Sequence, residues 1–325
     1  MPARPMTGRT ACGAALLALS MAACAEPPAP APQAPPAPPQ AAEPPSLRPA
    51  PPPAPGPSAE SAALAAYYQR VERDLVAQGL LRRDGGGPDT PFDAEDLAET
   101  FIKVALYEEY SANTGLLVAR QTESRLHRWA APVRIDLRFG ASVPASVQAA
   151  DRAQTRRLVA RIAAATGHPV TLGGSEGNFT VFVVNEDERR ALGPELLALA
   201  PGLSGVALDS VIDMARSNYC VVFAVDPGNT GTYSRAVAIV RSEHPDLLRL
   251  SCLHEEIAQG MGLSNDSPTA RPSIFNDDEE FALLTTHDEL LLKMLYDPRL
   301  RPGMTVAEAA PIVRAIAREL VGGEA

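Results

Sequence analysis

The sequence predicts an α+β protein: a mixed sheet with a long crossing helix, preceded by N-terminal helices and a Pro-rich segment. Three observations carry this. From residue 133 onward the apolar spacing switches repeatedly between the period of a strand and that of a helix. A late pair of strand segments, 219–226 and 234–242, leads directly into a helix rich in carboxylates and amides. Residues 25–58, in contrast, show no apolar periodicity and cannot form a core.

Taken in order, 58–81 reads as a helix with Ser58 and Glu60 near its start, and "RRDGGGPDT" (82–90) breaks it. Residues 91–110 read as a second helix, with Leu97, Phe101, Val104, Ala105 and Tyr107 on roughly one face. "VRIDLRFG" (133–140) alternates as a strand does, with Val133, Ile135, Leu137 and Phe139 on one side. A long amphipathic helix, 146–167, ends at Gly167. Strands follow at 169–173 and 178–185, then a mostly helical stretch at 186–217. After the strand pair comes the acidic helix, from about 246. Helices at 288–297 and 306–321 close the chain.

The acidic helix holds "CLHEEIAQGMGLSND" (252–266). Metzincin zinc proteases carry H-E-x-x-H-x-x-G-x-x-H, in which three histidines bind zinc and the glutamate activates a water. Placing Gly262 in the glycine slot puts Glu255, Gln259 and Asn265 in the ligand slots and Glu256 in the general-base slot, with Asp266 just beyond. "EIAQGMGL" resembles the matrix-type metzincin helix, and "THDELLLKMLYD" (286–297) resembles the helix after its Met-turn. The resemblance implies a zincin-like domain over 129–325, with 59–128 as an N-terminal helical region. All three histidine slots are changed. A carboxylate and two amides are poor zinc ligands, and oxygen donors suit a hard cation such as calcium better. The expectation is no zinc, with calcium the alternative. The bland reading of Glu255 and Gln259 is a buried polar pair. A register starting at His254 fails, since Ala258 would fill the second ligand slot. The other histidines follow no ligand spacing, and "NDDEE" (276–280) reads as a solvated turn.

The same stretch, with "RPSIFNDDEEFALLTTHD" and "LYDPRLRPGM", resembles an uncharacterised proteobacterial family, domain of unknown function 2927, described mostly as lipoproteins. That resemblance spans roughly 130–305. It implies no activity, and it implies that the E-E-x-x-Q form belongs to the family.

The N-terminus resembles a lipoprotein leader. Arg4 and Arg9 precede the short apolar run 11–23, which ends in "MAAC". Residues 1–23 are expected to be removed, Cys24 to carry lipid, and 24–58 to form an extended tether of roughly 100 Å reach. Ala25 after the cysteine favours the periplasmic side of the outer membrane by enterobacterial sorting rules. In that oxidising compartment Cys220 and Cys252 are expected as a disulfide, the alternative being two buried thiols. A net charge of −10 and 5% aromatic residues argue against nucleic acid as a partner. The expected partners are the membrane, through the lipid, and a peptide or envelope protein. The expected function is non-catalytic binding on a degenerate protease fold. The alternative is a peptidase-like hydrolase, metal-dependent or not, using Glu256 as base.

Overall fold

The computed structural model describes residues 56–111, 118–174, 177–276 and 278–322, without the side chains of 109–111 and 118–121. The leader, Cys24 and nearly all of the Pro-rich segment lie outside the described residues.

The sheet is built as its pattern demands. β4 (Val133–Phe139), β5 (Val170–Leu172), β6 (Phe179–Val184) and β9 (Arg235–Arg241) run parallel, and β7 (Cys220–Val225) pairs antiparallel with β9 at one edge. The strand order is β5-β4-β6-β9-β7. β6 is buried along its whole length, as a parallel strand covered on both faces must be. Its Phe179, Val181 and Val183 enter the main core. Its Phe182 and Val184 enter a second core on the opposite face.

The main core is closed by α2 (Ala94–Leu106), α3 (Ala145–Thr166), α7 (Asp246–Gln259), α8 (Thr286–Leu295) and α9 (Val306–Val321). After α4 (Glu186–Arg190), the second core lies under α5 (Gly193–Leu199) and α6 (Gly205–Ile212). The helix boundaries follow local chemistry. Ser58 caps α1 (Ala59–Ala77) by accepting from the Ser61 amide, and Gly167 ends α3 in the left-handed region at φ 64°. Among the described residues no helix is long and apolar enough to cross a membrane.

The stretch 91–129 departs from expectation. α2 stops at Leu106, and Tyr107 is already extended at φ −126°, ψ 157°. The chain then forms a hairpin, β1 (Tyr107–Ser111) with β2 (Val118–Glu123). A short β3 (Arg128–Trp129) pairs parallel with β8 (Thr232–Tyr233). Tyr107 extended the apolar stripe of the helix by sequence, but tyrosine also favours a strand, and pairing with β2 decides the outcome.

Candidate functional site

α7 is held in place at both ends before its polar face comes into play. Near its start, buried Arg249 donates to both carboxylate oxygens of Asp151 on α3, at 2.8 and 3.1 Å, and to the His244 carbonyl at 2.8 Å. At its end, the Trp129 indole donates to the Gly260 carbonyl at 2.8 Å, and the Tyr296 hydroxyl donates to that of Met261 at 3.1 Å. These donors satisfy carbonyls that a helix terminus leaves open.

Gly262 then turns the chain at φ 126°. A Cβ there would stand 2.2 Å from the His127 carbonyl oxygen. Both conditions require glycine. Gly262→Ala is expected to lower stability by about 3 kcal/mol, from the strained backbone and the clash together. Urea denaturation checks this, and a loss below about 1 kcal/mol would show that the turn relaxes.

Along one side of α7, largely buried, Cys252, Glu255, Glu256 and Gln259 follow the i, i+3, i+4, i+7 spacing of a single helix side. Cys252 is disulfide-bonded to Cys220, the first residue of β7. The bond fastens the edge strand to α7 and closes a loop of sequence separation 32. Replacing both cysteines with alanine is expected to cost about 3–4 kcal/mol by the chain-entropy relation. A midpoint in urea unchanged from wild type would contradict it. The Cys220 sulfur and one carboxylate oxygen each from Glu255 and Glu256 lie within 4.8 Å of one another.

A cleft of about 700 Å³ opens between β7 and α7. Glu255, Glu256 and Gln259 line its floor, and Cys220 to Ala224 of β7 form its rim. Asp266 also lines it and accepts from the Gln259 amide at 3.0 Å. Asn265 does not join them. It is fully buried, and its side-chain amide donates to the Lys103 carbonyl at the end of α2, at 2.9 Å. Its backbone N–H bonds the Val104 carbonyl. In an extended chain successive side chains point opposite ways. Anchoring Asn265 on α2 therefore turns Asp266 toward Gln259.

The far wall of the cleft includes Met214, Ala215 and Asn218. A buried ion cluster holds that wall. Glu186 pairs with Arg189 at 2.5 Å and with Arg241 at 2.6 Å. Arg241 donates to the carbonyls of Met214, Ala215 and Asn218, and Arg189 to those of Val211 and Ile212. Burial works against the charge on Glu186, but Arg189 and Arg241 outweigh it and hold the carboxyl below its ordinary range.

The histidines of the motif region are structural. His254 faces away from the cleft, and its Nδ1 accepts from the Leu284 amide at 3.0 Å. Burial pushes its pKa down to about 3. His287 packs edge-on against Phe92, and burial takes its pKa to about 4. Asp277 of the 276–280 stretch lies outside the described residues, and Glu280 pairs with Arg82 and Arg271.

Sequence reasoning missed three cleft residues. His127 stacks on Tyr233 with ring centroids 5.3 Å apart, and its Nε2 lies 3.6 Å from the Asp226 carboxylate. Asp226 also organises its own loop, accepting from the amides of Gly228 and Gly231 and from the Thr230 hydroxyl. "DPGNTG" signalled a turn there. Nothing in the sequence linked His127 to it.

No curated protein matches the chain, and no solved structure matches it. Residues 94–315, more than half of the chain, match a family model described as "Protein of unknown function (DUF2927)". The chain belongs to that family.

Proposed function

We propose that this chain is a non-catalytic peptide- or protein-binding protein of the cell envelope, taking an extended segment along the free edge of β7. The carrying observation is the edge itself. β7 forms the rim of the cleft, and its outer side pairs with no strand among the described residues. A segment laid there gains main-chain hydrogen bonds, and the cleft receives its alternate side chains.

The reading includes a metzincin-like ancestry. What supports it is four parallel strands with an antiparallel edge strand, and a helix that carries E-E-x-x-Q and is followed by Gly262. The residues do not fit its zinc. No histidine stands in a ligand slot, Asn265 is engaged by α2, and Cys220 near the two glutamates is a disulfide sulfur rather than a thiolate. Lipid on Cys24 and the 24–58 tether would hold the domain at the periplasmic side of the outer membrane.

The test is amide exchange with a Thr/Val-rich heptapeptide at saturation. Protection is expected at alternate amides of Cys220–Val225. Binding without protection there would rule out the edge strand as the site. The second reading, hydrolysis with Glu256 as base, draws on the place of this carboxylate in the cleft at 3% exposure. Under the binding reading, mass spectrometry of the same incubation finds the peptide intact. Cleavage by the wild type that is lost in Glu256→Gln would favour the hydrolase.

A further inference from the structure

We propose that the occupant of the cleft is a basic peptide segment, one that presents lysine or arginine side chains into it. This rests on the strand-addition reading and specifies its ligand.

The charge of the cleft is one-sided. Glu108, Asp213, Asp226, Glu255, Glu256 and Asp266 all line it. No lysine or arginine lines it among the described residues, and His127 is the one basic side chain there, already beside Asp226. Narrow, low-dielectric walls strengthen such a field, because charges partly removed from water are screened less than surface charges. An acidic peptide entering the cleft would meet like charge, and a neutral one would not complement the field. An ammonium or guanidinium group complements them.

The acids are also placed where a paired strand would present side chains. Glu255 and Glu256 lie beside Cys220, at the start of β7. Asp226 follows Val225 directly, at its end. β7 is therefore bracketed by negative charge over roughly 20 Å, the length of about six extended residues. In a strand laid along it, residues four apart share a face about 13 Å apart, and long lysine or arginine side chains extend from there toward both ends. Both faces of β7 itself are already packed: Val222 and Ala224 against the main core, Val221 and Phe223 against the second. The open direction for a ligand is the hydrogen-bonding edge and the acidic cleft beneath it.

Three labelled heptapeptides test the proposal. Each has the same Thr/Val background and carries Lys, Gln or Glu at positions 2 and 6. Binding to the full chain is followed by fluorescence anisotropy in chelator-treated buffer, at low and high salt. The Lys peptide is expected to bind at least tenfold tighter than the Gln peptide, and the Glu peptide weakest. The Lys advantage is expected to shrink as salt rises. In the Glu255→Gln, Asp266→Asn double variant, the ratio of Lys to Gln affinity is expected to fall by at least threefold. Equal binding of the Lys and Gln peptides would overturn the basic-ligand proposal while leaving strand addition standing. Failure of all three peptides to bind would overturn both. Because the wild-type comparison is decisive by itself, a variant that fails to fold does not rescue the proposal.

Discussion

Between pH 6.5 and pH 5 the protein is expected to lose about 2–5 kcal/mol of stability, enough to approach unfolding in mild acid. Three buried histidines drive this. His244 donates from Nε2 to the Tyr219 carbonyl and lies against the Tyr68 ring. Burial pushes its pKa to about 3, as it does that of His254, while His287 falls to about 4. His254 accepts the Leu284 N–H through Nδ1, which a proton on that nitrogen would forbid. All three pKa values are lower in the folded chain than the ordinary 6.5, so the unfolded chain binds more protons as pH falls through that value. Stability is full above pH 6.5 and declines below it, by about 1.4 kcal/mol per pH unit for each histidine. Two carboxyls work in the opposite direction. Burial raises both Glu243 and Asp288, so each takes up its proton first in the folded state. If both offset fully, the unfolded chain still leads by one proton. Urea denaturation across this range measures the slope. His287→Phe, which keeps a ring against Phe92, should reduce the slope by about one proton. A stability that is flat from pH 7 to 5 would contradict the assignment of neutral, buried imidazoles.

Replacing Glu186 is expected to be as damaging as any single change outside the backbone. Glu186→Gln keeps the shape and removes the charge, leaving Arg189 and Arg241, each 1% exposed at the side chain, without their anion. Breaking a buried pair in this way costs about 3–5 kcal/mol, mostly from the uncompensated partner. The loss should be greatest near neutral pH. Because the Glu186 carboxyl is held below its ordinary range, its contribution is present above that range and disappears as pH falls through the lowered value. The two arginines hold five carbonyls of the 211–218 segment. The variant should therefore also loosen the far wall of the cleft. Faster amide exchange in 211–218 than in α3 would show it. A stability loss below about 1 kcal/mol would mean that the arginines find other acceptors.

Much of the fold was legible because it is written in local chemistry. Ser58 and Gly167 marked helix ends, and the alternation of Val133, Ile135 and Leu137 marked a strand. Cys220 and Cys252 were paired by count and compartment, and they are bonded. Strand order was beyond the sequence, since it depends on contacts between segments far apart in the chain. The hairpin after Leu106 was hidden because Tyr107 satisfies helical spacing and strand propensity alike. At the site, the glycine register grouped Glu255, Glu256 and Gln259, which line one cleft, but named Asn265 as the returning residue. A side-chain bond to α2 settled that question, and no periodicity within 252–266 encodes the position of the Lys103 carbonyl.

The bond between Cys220 and Cys252 also makes the opening of the cleft depend on the history of the chain. Without it, rim and floor are linked covalently only through the intervening chain, over a separation of 32 residues. A newly made chain with both thiols reduced carries every carboxylate of the site but holds rim and floor together by sheet pairing and core packing alone. Removal of two electrons adds the covalent link, so the rim is fastened to the floor only after synthesis, wherever the oxidant is met.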